Sequence, residues 1–231
     1  LVCAIPTFAV GLTEDLTKKI SVRLRLVFTA ISAAMLVYLM PAYITRLDIP
    51  YVNLILTFSI TGGALTVFAI TGLANAYNII DGFNGLASMV GIITLLAIAY
   101  VSFVVADSQI MYLSLIMAAA ILGFFIWNYP RGPIFLGDGG AYLTGFWIAS
   151  LSVILTYRHR EISPWFALLI NGYPIVETLF TIYRRKIRQG KSLGQPDGIH
   201  FHTLIYRRIL LPHHCQGIFS ANAKQRPIFG S

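Results

Sequence analysis

The 231 residues are 57% hydrophobic and 11% charged, with a net charge of +8 and a mean hydropathy of +0.74. Soluble domains carry about 25% charged residues, so the composition excludes a soluble globular domain. The basic excess is then read as membrane-surface loops, with no nucleic acid as partner. Cys3 and Cys215 form no C-x-x-C and lie far apart, which excludes a disulfide framework and a zinc-binding cysteine pair.

In chain order, the first apolar run, residues 1–11, is too short to cross a bilayer, which needs about 20 helical residues. No initiator Met and no basic n-region precede it. It is expected to be the end of a helix, and the chain an internal fragment cut at both ends. No Asp, Glu, Lys or Arg occurs in Leu26–Thr45, Ile49–Ile80, Gly82–Ala106, Ser108–Pro130 or Gly139–Tyr157. Each run holds one spanning helix. Helices are predicted at about 26–45, 51–74, 86–106, 109–127, 141–157 and 163–183. Pro41 and Pro174 would fall inside helices, where neighbours can satisfy the freed carbonyls. The expected fold is all-α: a polytopic integral membrane helical bundle of about six complete helices and one partial helix. Residues 1–231 form one membrane domain, with residues 184–225 as a basic, His-containing loop.

These helices leave two alternating sets of loops. One set is 12–25, 75–85, 128–140 and 184–225; the other is 46–50, 107–108 and 158–162. Only 3 of the 17 Lys and Arg fall in the second set. The positive-inside bias therefore places the first set in the cytoplasm. Glu14, Asp15, Asp81, Asp138 and Asp197 fall in that same set, although acids played no part in choosing it. Carboxylates gathered on one face call for a cation, and hard oxygen donors suit Mg²⁺.

The polar loops carry the candidate chemistry. "GLTEDLTKKIS" (11–21) has the adjacent acids Glu14 and Asp15, which suit either a site or helix capping. "NAYNIIDGFNGLASMV" (75–90) spaces Asn75, Asn78 and Asp81 three apart, so they can share a helical face, and adds Asn84. A plain interhelical turn needs fewer polar residues than this. "NYPRGPIFLGDGGAYLTGF" (128–146) sets Asp138 among glycines at a helix start, where free N–H groups and the helix dipole suit a phosphate, unless Asp138 is only a cap. "QPDGIHFHTLIYRR" (195–208) points His200 and His202 one way if extended. With Asp197 they fit contact to a phosphate better than a zinc site, which lacks a fourth ligand. "YRRKIRQGK" (183–191) is a basic stop that also suits anionic lipid. Glu177 sits within the last helix, where acids are functional by default.

The four loops, in this order, resemble the polyprenyl-phosphate N-acetylhexosamine-1-phosphate transferases, which include phospho-MurNAc-pentapeptide transferase. The resemblance rests on "GLTEDL", "NAYNIIDGFNGLA", "FLGDGGAYLTG", "PIVETLFTIYRRKIRQGKS" and "PDGIHFHTLIYRR". It implies a Mg²⁺-dependent enzyme, with Mn²⁺ admitted, in the bacterial inner membrane with its active-site loops in the cytoplasm. That enzyme would transfer a sugar-1-phosphate from a UDP-sugar to undecaprenyl phosphate and release UMP, initiating an envelope polysaccharide. It further implies that Glu14, Asp15, Asp81 and Asp138 are catalytic and that Asn75, Asn78, Asn84, His200 and His202 bind substrate. Asp138 and Asn78 would lie at the metal. A homodimer is left open. The chain departs from the pattern at Glu14 and Glu177, where the family usually has Asp, and at Thr203, where a third His is common. The rival reading is a membrane transporter, which needs polar groups along a path near the midplane.

Overall fold

The computed structural model describes residues 1–56, 58–130 and 132–188. Every regular element among them is helical: a 3-10 turn at Val2–Ala4, then α1 (Ile5–Thr17), α2 (Val22–Leu39), α3 (Val52–Leu56), α4 (Ser59–Ile80), α5 (Leu86–Val104), α6 (Ser108–Asn128), α7 (Gly137–Arg158), α8 (Pro164–Ile170), α9 (Gly172–Ile182) and a π-helical stretch, Tyr183–Arg188. Five helices are long and apolar enough to cross a membrane, and α8 with α9 make a sixth span if the bent pair is counted as one. Two compact units emerge, Leu1–Thr178 and Leu179–Ser231. The described part of the second is the end of α9 and the π-helical stretch.

The first unit is built around α7. Of its most apolar 18 residues, 78% lie inside the protein, against 22% for α2 and for α6. Its sequence explains the position, because Gly139, Ala141, Gly145, Ala149, Ser150 and Ser152 are buried and let neighbours approach closely. A Cβ on Gly145 would lie 2.7 Å from the Cα of Ala74 on α4, and one on Gly11 of α1 would lie 2.5 Å from the Cα of Gly139. The two packing partners that flank α7 thus bring the ends of α1 and α4 to its N-terminus.

Several boundaries differ from the sequence reading, each for a local reason. Helix α1 runs to Thr17 instead of stopping at 11, so Glu14 and Asp15 are helical; Lys18 then ends it in a left-handed conformation, φ 54°. Helix α2 starts at Val22 because Ser21 caps it, accepting from the Leu24 N–H at 3.3 Å. It stops at Leu39, since the residue before Pro41, Met40, is extended; Pro41 therefore lies outside the helix that was expected to contain it. The predicted helix at 51–74 is two elements, α3 and α4, and α4 continues to Ile80. Asn75 and Asn78 accordingly sit on a helix and not in an interhelical loop.

The last span is broken. Helices α8 and α9 meet at 73° around Asn171. Pro174 has no N–H to offer the carbonyl four residues back, that of Ile170. The Thr94 hydroxyl donates to that carbonyl at 3.3 Å. Asn171, fully buried, donates to the Ala167 carbonyl at 2.9 Å and accepts from the Tyr77 hydroxyl at 3.3 Å. The break is thus satisfied by side chains of α4 and α5.

At the end of the unit away from the α7 N-terminus, the three short loops of the second set meet. Asp107 caps α6 through the Ile110 N–H at 3.1 Å and receives Arg158 and His159 at 3.2 Å each. His159 also contacts Glu161 at 3.1 Å, and Arg46 donates to the carbonyls of Arg160 and Ile162. These bonds hold the Asp107 carboxyl below the usual range despite its burial, and Glu161 is lowered first by its own backbone N–H and then by His159 and Arg46.

Candidate active site

Helix α7 begins at Gly137, whose φ of +70° favours glycine, and its first turn leaves free N–H groups with the positive end of the helix dipole. Asp15 fills that position. Its two carboxylate oxygens accept from the N–H groups of Asp138 and Gly139, both at 2.9 Å. The fit is tight: a Cβ on Gly137 would come within 2.6 Å of Asp15 Oδ2, and one on Gly139 within 3.1 Å of the Leu12 nitrogen. Glycine at these positions is what lets an acid from α1 cap a helix that starts more than a hundred residues later.

Asp138 projects from the same turn. Asn78 Nδ2 donates to its Oδ1 at 2.8 Å, and Arg25 of α2 forms an ion pair with its Oδ2. The Arg25 guanidinium also sits 5.9 Å from the centroid of the Tyr142 ring, within cation–π reach. The Tyr142 hydroxyl in turn donates to Asn75 Oδ1 at 3.0 Å. Asn75 and Asn78, one turn apart on α4, therefore both face α7. Asp81 follows at the C-cap of α4. It is half-buried, and burial first, then the negative charge of Asp15, push its carboxyl up to about 7. Lys18 lies 3.8 Å from Asp15 at the open side.

A second cluster adjoins it. Asn128, at the end of α6 and 4% exposed, accepts from the Gly85 N–H and donates to the Ile134 carbonyl at 2.7 Å. One side chain thereby ties the loop after α4 to the loop before α7. Gly85, with φ +84°, leaves room for the stacked rings of Phe125 and Tyr129, whose centroids are 5.3 Å apart. Asn84 is exposed and donates to the Pro130 carbonyl at 3.3 Å.

Comparison with known proteins identifies the lineage. Residues 1–156 match the family described as glycosyl transferase family 4. The chain belongs to glycosyl transferase family 4. Among similar proteins are the probable undecaprenyl-phosphate N-acetylglucosaminyl 1-phosphate transferase of Bacillus subtilis, 37% identical over 139 residues, 60% of this chain and 38% of that protein. The undecaprenyl-phosphate alpha-N-acetylglucosaminyl 1-phosphate transferase of Thermotoga maritima is 30% identical over 206 residues, 89% of this chain and 60% of that protein. The phospho-N-acetylmuramoyl-pentapeptide-transferase of Streptococcus thermophilus is 31% identical over 144 residues, 59% of this chain and 41% of that protein. The chain thus spans between 38% and 60% of the length of these family 4 relatives.

Of the residues singled out in the sequence, Asp15, Asn75, Asn78, Asp81 and Asp138 come together within this family 4 chain. Asn84 lies in the adjoining cluster. Glu14 turns elsewhere: its Oε2 accepts from the Ile20 N–H at 2.6 Å and braces the turn between α1 and α2. Glu177 is buried on α9, 3% exposed. His200 and His202, with Asp197 and the rest of the loop from 189 onward, lie outside the described residues. Two participants were missed. Arg25 looked like loop charge, and only its position three residues into a capped helix hints at an inward role. Asn128 stood at the end of an apolar run, where a lone amide is a weak but usable signal.

The donors present suit a hard cation. Asp138, Asp81 and the Asn78 amide offer oxygen ligands, and Asp138 already draws the charge of Arg25. Among the described residues no three His, Cys, Asp or Glu converge closely enough to hold a metal unaided.

Proposed function

We propose that this chain transfers a sugar-1-phosphate from a UDP-N-acetylhexosamine-type donor to undecaprenyl phosphate, releasing UMP, in a Mg²⁺-dependent reaction at the cytoplasmic face of a bacterial inner membrane. The observation that carries the reading is the gathering of Asp15, Asp81, Asp138, Asn78 and Arg25 around the N-terminus of α7. Carboxylates gathered beside a helix end whose anion position Asp15 already fills suit a cation between two phosphate-bearing substrates. Bound magnesium supplies charge neutralisation between the two anions. Asp138, with Asn78 holding its Oδ1, and Asp81 are the residues that would hold it. The acceptor phosphate, with a second pKa of about 6, is largely dianionic at neutral pH and needs little help from a base. Asp15 therefore acts as an orienting group, fixing the α7 turn from which Asp138 projects. Glu14 stabilises the turn that carries Asp15, and His200 and His202 are assigned to the donor's phosphate or sugar. The names of the Bacillus subtilis and Thermotoga maritima relatives support the lipid and the GlcNAc-1-phosphate class.

Against the transporter reading, polar groups in the middle of the described spans are engaged with one another in the core. The mid-span polar groups Tyr77, Thr94 and Asn171 bond to one another and are buried. The test is UMP release from UDP-GlcNAc and related donors by membranes containing the protein and undecaprenyl phosphate. Release should stop with EDTA and resume with Mg²⁺, and Asp138→Asn should abolish it. An Asp138→Asn variant with full activity at normal expression would remove that residue from the reaction.

A further inference from the structure

Asp81 and Asp138 reach the site on two separate stretches of irregular chain. Asp81 opens residues 81–85, between α4 and α5, and Asp138 follows residues 132–136, ahead of α7. Irregular backbone has no regular ladder of hydrogen bonds to fix it, so the spacing of the two acids depends on what bridges the stretches. Asn128 of α6 bridges them. Its Oδ1 accepts from the Gly85 N–H, and its Nδ2 donates to the Ile134 carbonyl at 2.7 Å. Gly85 comes four residues after Asp81, and Ile134 four residues before Asp138. The Asn128 carbonyl also accepts from the Gly132 N–H at 2.7 Å, so one residue fixes both stretches to the end of α6.

The tie belongs to the core. Asn128 is 4% exposed, and the Gly85 that it holds is buried and starts α5. The stacked rings of Phe125 and Tyr129 close over Gly85, where a Cβ would lie 2.9 Å from the first and 3.0 Å from the second. A planar amide presents an acceptor and a donor at a fixed separation. Leucine at this position would fill similar space but leave the buried Gly85 N–H unpaired. We infer that Asn128 is a positioning residue for the transfer reaction: its amide sets the distance between the stretch that carries Asp81 and the stretch that leads to Asp138. This rests on the transferase reading, and Asn128 acts through the two acids.

The experiment is UMP release from UDP-GlcNAc by the full chain in detergent with undecaprenyl phosphate, expressed per folded molecule, together with the melting temperature. Asn128→Leu is expected to lower kcat by about 10²-fold, the cost of a misplacement of about 1 Å, with a smaller change in KM for UDP-GlcNAc. A purely structural amide would lower the melting temperature and leave kcat per folded molecule at the wild-type value; that result overturns the inference. Asn128→Asp is the second variant, and it decides alone if Asn128→Leu does not accumulate. Its neutral carboxyl has a C=O and an O–H and makes both bonds, whereas the ionised form only accepts and repels the Ile134 carbonyl. The ratio of its kcat to that of wild type should therefore rise as pH falls, and the division removes the pH dependence of the acids already in the site. A ratio that does not change with pH overturns the inference. Wild-type protein that releases no UMP would sink the transferase reading and this inference with it; release unchanged in both variants sinks this inference alone.

Discussion

Asp81 shows how position changes the work of a single carboxyl. Its ordinary value is about 3.9, and burial with the nearby charge of Asp15 raises it to about 7. The folded protein therefore keeps a proton that the unfolded chain has already released. The stability contributed by neutral Asp81 is complete below about pH 4 and is lost as pH rises through about 7. Asp81→Asn stays neutral throughout, so it should abolish the part of the stability loss that sets in across that window. Melting temperatures in EDTA between pH 4 and 8.5 are the check. An unchanged pH profile would mean that Asp81 ionises freely in the fold. Asn78 and Asp15 illustrate the opposite case, in which polar groups are consumed by defined partners at 2.8 and 2.9 Å.

At the level of elements, the site depends on how closely α1 approaches α7. Gly11 faces Gly139, and an added Cβ would meet the Gly139 Cα at 2.5 Å, against backbone that cannot rotate away. Gly11→Ala should thus push α1 off α7, costing about 1–3 kcal/mol as overpacking does. It should also cut transfer activity, because the same helix carries Asp15. Gly123→Ala on α6 is the control: nothing lies within 4 Å of its added Cβ. That change should be neutral or stabilise by up to about 1 kcal/mol through helix propensity. Thermal unfolding with an activity assay on both variants distinguishes a packing effect from a general intolerance of alanine. Equal behaviour of the two would contradict the close approach.

For the whole molecule, the alternating helices carry the described acid-bearing loops, 12–25, 75–85 and 128–140, to one end of the first unit and the short loops to the other, where Asp107, Arg158, His159 and Arg46 join them. If the acid end is cytoplasmic, a cysteine placed at Asn84 should react with a membrane-impermeant thiol reagent only from the inside. One placed at Asp48 should react only from the outside. Labelling of position 84 in intact cells would overturn the proposed sidedness. The exposure of Asn84 and of Asp48 makes both positions usable reporters.

Much of this was legible because a bilayer imposes coarse, local rules. Charge-free runs of sufficient length must be helices, and the basic residues at their ends sort the loops. The motifs "NAYNIIDGFNGLA" and "FLGDGGAYLTG" therefore flagged Asn78 and Asp138 as candidates without any contact being known. Boundaries were less legible, since capping decides them: Ser21 moved the start of α2 back to Val22, and a hydrogen-bonded Asn171 with Pro174 broke a span that composition presents as continuous. Partners were not legible at all. That Asp15 caps α7 123 residues away, or that Arg25 of α2 pairs with Asp138, follows from how glycine-faced helices pack. Hydropathy and helix propensity act over a few turns and are written in the order of residues. Which acid meets which cation is set by side-chain packing between distant segments, and only the tertiary structure decided it.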